Sequence, residues 1–390
     1  MTGATAYKIV FNGKDYLTGG TSLRANNILA GETNIFTIVA QNSVSSSLEA
    51  TINFQTLSLN SAINMNYQAI NGNVATLVQA YQLIEWYAEG KYNIKGYYIA
   101  ALMYIRQHYG SEFDAVMLTI RQHNENRFRA AHGGSPYVYG QGTYNGVGLH
   151  WIKTFPDNIE LKWLSPGKQL KSINEYGSNG GFFGDNGMFS IAINDSVAVR
   201  GTTGNYSGEV NGPKDITENG IWDPVPINRG TLVWDRMTAT FSVQKKKKKS
   251  ELEVASDYYW AQGGLSMNPS HDKDSAWSNT GSILQDEYVD GVGGVNETRA
   301  RVGLVYDDQG YVWIVMTQSY NCTMGNFRAA IQTMLNGTNG NGNVVNGIFL
   351  DGGGSSQMRC AEANVYFENT PGNRDNTRAV PQIVALINKV

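Results

Sequence analysis

Apolar and polar residues alternate in short runs over the first sixty positions. Tyr7-Lys8-Ile9-Val10-Phe11, the pair Asn12-Gly13, and Tyr16-Leu17 predict a hairpin closed by an Asn-Gly turn. Ile35–Val39 and Ala50–Phe54 have strand composition, so residues 1–60 read as a small β-rich module. The period then changes. Val74, Leu77, Val78, Tyr81, Leu83, Ile84 and Tyr87 recur at helical spacing, and so do Ile99, Leu102, Met103 and Ile105, then Phe113, Val116, Met117 and Ile120. Residues 61–135 are therefore expected to be helical, with these stripes as core. Arg121 to Arg129 reads as a solvated helix end, with contact to an anionic polymer as the sharper alternative. Gly133 to Gly148 is rich in Gly and Tyr and suits a linker or surface loop, which puts a boundary near 135–150.

Beyond it, Val302–Tyr306, the turn Asp307-Asp308-Gln309-Gly310, and Tyr311–Met316 predict a hairpin. Phe327, Ala330, Ile331, Met334 and Leu335 predict a helix, and Ile348-Phe349-Leu350 a strand. Hairpin, helix, strand implies an α+β class: a mixed β-sheet domain with packed helices over 150–390. The five-lysine run Lys245–Lys249 reads as an exposed loop or insertion, or else as a binder of anionic polymers.

Composition narrows the function classes. A hydrophobic fraction of 41% and a charged fraction of 16% suit a folded chain with a sizeable core. The net charge of −3 gives no general reason to expect nucleic acid or an anionic membrane as partner. No apolar stretch is long enough to insert in a membrane. The start of the chain lacks a basic segment followed by an apolar one, so no signal peptide is expected and the protein reads as soluble. Cys322 and Cys360 allow one bridge or two buried thiols. His108, His123, His132, His150 and His271 have no metal-ligand spacing, so no obligatory metal and no cofactor are expected; a structural Ca²⁺ stays open.

The chemistry concentrates in glycine-rich turns. In Leu350-Asp351-Gly352-Gly353-Gly354-Ser355-Ser356 an acid ends an apolar strand and side chains are then given up for three residues. Glycine permits positive φ and close ligand approach, successive N–H groups can form an anion nest, and the serines add donors. A glycine turn with Asp351 capping the backbone is the plainer alternative. There is no P-loop lysine. A second turn is Asn179-Gly180-Gly181-Phe182-Phe183, a third is Gly263-Gly264-Leu265, and arginines stand at strand mouths in Arg299-Ala300-Arg301-Val302-Gly303 and Arg378-Ala379-Val380. Arginine there can fork onto phosphate or carboxylate.

In that order the five segments resemble the phosphodiester glycosidase family, the group that includes the lysosomal uncovering enzyme. The resemblance covers roughly residues 150–390, with residues 205–258 looking like an insertion and the first 130 residues lacking a counterpart. It implies hydrolysis of the bond between a sugar's anomeric carbon and a phosphodiester oxygen, with a phosphorylated carbohydrate as partner. Carried onto this chain, Asp351 is the leading catalytic carboxylate, Glu175 and Asp185 are weaker candidates, and Arg299 is catalytic through the phosphate. Asn179, Gly180, Gly181, Arg301, Gly352, Gly353, Gly354, Ser355, Ser356 and Arg378 would bind substrate; between the two neighbouring arginines, register favours Arg299. A phosphorylated glycan or teichoic-acid-like polymer, met in a bacteriophage or bacterial surface setting, fits these features. Glycan binding without turnover, a virion structural role, or a phosphate-ligand sponge are the alternatives, with Tyr137-Val138-Tyr139 as a sugar platform.

Overall fold

A computed structural model describes residues 6–11, 14–18, 33–41, 50–55, 95–108, 110–184, 187–201, 206–212, 215–218, 221–224, 226–269, 287, 297–336, 342–366 and 378–390. The chain divides into two compact units, Met1–Ile120 and Arg121–Val390.

In the first unit the strands Lys14–Thr18, Ala6–Phe11, Thr33–Gln41 and Ala50–Gln55 form one antiparallel sheet in that order. Phe11 pairs with Lys14; the Asn12-Gly13 turn that the sequence predicts between them lies outside the described residues. Helices follow at Lys95–His108 and from Gly110. Their buried residues Leu102, Ile105, Phe113, Val116, Met117 and Ile120 carry the expected stripe, whereas Met103 faces solvent. The helical pattern over 72–87 lies outside the described residues.

The second unit is mostly β-sheet with few helices. Its six-stranded sheet runs Leu265–Ser266, Val344–Phe349, Val302–Asp307, Val312–Thr317, Val147–Thr154, Tyr137–Tyr144. Every neighbouring pair within it is antiparallel, which corrects the expected mixed sheet; the helix Met324–Leu335 carries the chain from Val312–Thr317 past Val302–Asp307 to Val344–Phe349. The last two strands are a hairpin on Asn145 (φ 48°) and Gly146 (φ 75°), both left-handed. The Gly- and Tyr-rich stretch is thus a strand pair and not a linker.

The central strands are buried on both faces, which is why they read as unbroken apolar runs. Leu304, Ile314, Ile348 and Leu350 point into a core shared with Ile152, Leu161, Trp234, Trp260 and Val384. Val305, Trp313, Val315 and Phe349 point the other way, under Phe327, Ile331, Met334 and Leu335 of the helix Met324–Leu335. Thr323 caps that helix by accepting the Asn326 N–H at 3.2 Å. The unit also holds two two-stranded ribbons, Phe183–Gly184 with Gly187–Met188 and Asp215–Glu218 with Ile221–Pro224, and two five-stranded sheets. One runs Val197–Ala198, Ala192–Asn194, Tyr259–Gly263, Arg229–Asp235, Thr240–Lys246; the other runs Asn364–Tyr366, Gln357–Arg359, Gly177–Asn179, Val380–Leu386, Ile159–Lys168.

Only the first two lysines of the run belong to a strand; Lys247 to Lys249 lie beyond it. Lys245 and Lys246 end the edge strand Thr240–Lys246, and Lys245, Lys246 and Lys249 pair with Glu287, Glu253 and Glu209. Paired charge along an edge strand blocks further strand addition. The polar helix end docks locally: Arg129 pairs with Glu125 at 2.7 Å and donates to Gly134 O and Val390 O. Cys322 and Cys360 are both free and buried; burial pushes their thiols up to about 11 and about 12, so neither is a poised nucleophile. Among the described residues no helix is long and apolar enough to cross a membrane.

Candidate active site around the Asp351 turn

Four segments distant in sequence meet at the end of the strand Val344–Phe349. The Asp351 N–H donates to Gly180 O (3.1 Å), and Asn179 Nδ2 donates to Asp351 O (2.7 Å). Gly353 N–H reaches Ala300 O (2.9 Å), and Arg378 N–H reaches Gly354 O (3.0 Å). The Asn-Gly-Gly turn, the Arg299 segment, the Asp351 turn and the Arg378 segment therefore share one locus.

Their side chains divide into framework and free chemistry. Asn179 is framework: its second N–H bonds Gly180 O (3.2 Å), and its Oδ1 accepts the Gln357 N–H (3.1 Å). Gly180 N–H goes to Gln382 O (2.9 Å) and Gly181 N–H to Gln382 Oε1 (2.7 Å). Asn179, Gly180 and Gly181 thus spend these donors holding strands together. Gly180 must be glycine because a Cβ would overlap the Gln382 amide. Gly180→Ala is expected to cost about 1–3 kcal/mol, read as a lowered urea midpoint with unchanged slope.

The Asp351 turn answers in the same way. Gly353 adopts φ 63°, and a Cβ on Gly352 would lie 2.9 Å from Ala300 O. The glycines serve a tight turn against a neighbouring strand. Gly352 N–H bonds the Asp351 carboxyl, and Gly353, Ser355 and Ser356 donate to Ala300 O, Gly352 O and Gly353 O. Of the N–H groups from Gly352 to Ser355, those of Gly352, Gly353 and Ser355 are met by internal acceptors.

What remains is a side-chain cluster. Arg378 Nε donates to Ser355 Oγ (2.7 Å), its Nη2 stands 3.5 Å from Asp351 Oδ2, and Ser355 also bonds the Asp351 carboxyl. Burial raises the Asp351 pKa; Arg378, Ser355, the Gly352 N–H and Arg299 oppose that rise. Arg378 is half exposed and lies 5.3 Å over the Phe183 ring. Its neighbour in the motif, Phe182, carries Arg229 at 5.0 Å.

The two arginines near 300 separate. Arg299 is solvent-facing and paired with Glu297, and its charge acts on Asp351. Arg301 is buried, donates Nε to Cys322 O (3.0 Å), and has its pKa lowered to about 10 by burial. Arg301 braces the loop, and of the two arginines Arg299 is the more exposed. Ser356 is buried with its Oγ lacking a hydrogen-bond partner among the described residues. Glu175 pairs instead with Lys162 and Lys389, at 3.2 and 3.0 Å. Asp185 lies outside the described residues.

Sequence reasoning missed Gln382, Gln262 and Arg229. Gln382 Nε2 donates to Gln262 Oε1 (2.9 Å), a buried amide pair that locks the Asn-Gly-Gly turn to two sheets. Each is a polar residue inside an apolar strand, a detectable signal because burial demands a partner. Elsewhere, Tyr139, Gln141, His150, Glu362 and Tyr366 line an open cavity of about 600 Å³. Tyr137 is buried and donates to Glu362 (2.9 Å), so only Tyr139 of the expected aromatic platform faces it.

The profile of the phosphodiester glycosidase family matches residues 179–387. Among solved structures, the catalytic domain of zebrafish N-acetylglucosamine-1-phosphodiester alpha-N-acetylglucosaminidase, auto-inhibited by its pro-peptide, is similar at 12% identity and a TM-score of 0.41, over 65% of this chain and 82% of that one. A hypothetical protein from Synechocystis is similar at 11% identity and a TM-score of 0.32, over 64% of this chain and 61% of that one. No curated protein matches the chain.

Proposed function

The chain belongs to the phosphodiester glycosidase family, and from that premise we propose that it hydrolyses the bond between a sugar's anomeric carbon and a phosphodiester oxygen in a phosphorylated glycan or teichoic-acid-like polymer. The observation that carries this reading is the convergence of Asp351, Ser355 and Arg378 at one locus.

A phosphoryl oxygen is a good leaving group, so the site needs less from a general acid than from its charges. Arg378 and Arg299 hold the diester anion. Ionised Asp351, beside the sugar ring, stabilises the oxocarbenium-like charge that develops at the anomeric carbon. The bond from that carbon to the bridging oxygen breaks and its electron pair leaves with the phosphate. Water adds to the carbon and releases a proton, giving free sugar and a phosphomonoester. Ser355 is a positioning residue, since its hydroxyl ties Arg378 to Asp351.

A second reading, glycan binding without turnover, is favoured by the Tyr139 cavity. Incubation with a chromogenic sugar phosphodiester and with a teichoic acid separates the two. Release of reducing sugar together with a phosphomonoester is expected; retention of the polymer with no release supports the binding reading and defeats the hydrolase.

A further inference from the structure

Arg229 has no role in the framework described above, yet it is fully buried at the start of the strand Arg229–Asp235. Its Nη1 makes one long hydrogen bond, to Phe189 O at 3.4 Å. Its Nε and Nη2 have no hydrogen-bond partner among the described residues. A guanidinium removed from water with half its fork unmet is strongly unfavourable unless an anion completes it. Two carboxylates act on it electrostatically, Glu287 and Asp351. Each already has another cation: Lys245 lies 2.9 Å from Glu287, and Arg378 lies 3.5 Å from Asp351. Glu287 Oε2 is further committed to the N–H groups of Gly230 and Ser266. Burial lowers the Arg229 pKa only to about 10, so it is charged at neutral pH. Among the described residues, with Arg299 and its partner Glu297 included, the locus therefore holds four cations against three carboxylates, and the cation without a close carboxylate partner is the buried Arg229.

Resting on the sugar-phosphodiester reading, we propose that Arg229 is the buried half of the anion site: its Nε–Nη2 edge takes two phosphate oxygens, while Arg378 closes on the same group from the solvent side. Consecutive Phe182 and Phe183 hold the two guanidiniums. This makes the charge on the diester a requirement for binding. A neutral glycoside would leave the Arg229 fork unmet, so the site selects phosphorylated glycans by the cost of leaving a buried donor pair empty.

The test uses the full chain and inorganic phosphate. Isothermal titration compares wild type with Arg229→Lys, which keeps the charge and loses the planar fork. The dissociation constant is expected to rise about tenfold or more, with the far-ultraviolet circular dichroism unchanged. An unaltered constant in a folded variant overturns the proposal. If Arg229→Lys does not fold, a crystal structure of the wild type grown with phosphate decides. Phosphate within hydrogen-bond distance of Arg229 Nε and Nη2 supports the proposal; phosphate on Arg378 alone, or none at this locus, overturns it. Wild-type turnover of a sugar phosphodiester is measured in parallel. Turnover combined with phosphate binding indifferent to Arg229 removes this inference and leaves the hydrolase reading standing. Neither turnover nor phosphate binding removes both.

Discussion

Asp351→Asn is expected to lower turnover of a sugar phosphodiester by about a thousandfold while making the protein more stable at neutral pH. The two effects come from one cause. Asp351 sits at the end of a buried strand, and burial raises its pKa more than Arg378, Ser355, the Gly352 N–H and Arg299 lower it. The folded state therefore binds the Asp351 proton more tightly than the unfolded chain does. The linkage relation then gives stability that falls as pH rises from the ordinary aspartate value to the raised folded one, with the full penalty above the latter. Asparagine keeps the shape and removes the charge. Urea midpoints taken from pH 4 to 8 should fall with rising pH in the wild type over that window, and fall less in the variant. Activity and stability moving in opposite directions is the signature of a charge kept for chemistry. Full activity in the variant would falsify the assigned role.

Arg378→Gln separates the electrostatic and binding contributions of the exposed arginine. In the wild type, loss of activity on acidification should track protonation of Asp351, and so should fall above the ordinary carboxylate range. Arg378 is the strongest influence opposing that rise. Removing it should move the acid limb of the kcat/KM profile to higher pH. The diester contact is lost as well, so KM should rise about tenfold. A merely structural Arg378 would change the thermal midpoint without moving the pH limb. Arg378→Lys should restore the limb more fully than the affinity, because lysine supplies charge without the fork that also reaches Ser355.

Local physics wrote part of this structure directly into the chain. The pairing of Ala6–Phe11 with Lys14–Thr18, the Met324–Leu335 helix and the buried run before Asp351 follow from alternation and periodicity, which depend only on near neighbours. The Asn145-Gly146 hairpin carried an Asn-Gly signature and was read as a linker, because its glycines and tyrosines masked the alternation. The Asp351 turn and its companion arginines could be picked out as candidates from residue type and order. What each polar atom does could not. Gly181 gives its N–H to a glutamine 201 positions away, and Arg378 meets Ser355 across 23. Such pairings exist only once strands remote in sequence lie side by side, since a hydrogen bond needs its acceptor within about 3 Å and correctly aimed. The sequence by itself determined those strands and helices whose period is local and unmasked, and which residues could bear charge or donate. The tertiary structure alone decided that Asn179 and Gly180 bond within the framework, that Glu175 pairs with Lys162 and Lys389, and that Arg378 pairs with Asp351, because burial and partner choice are properties of the assembled sheets.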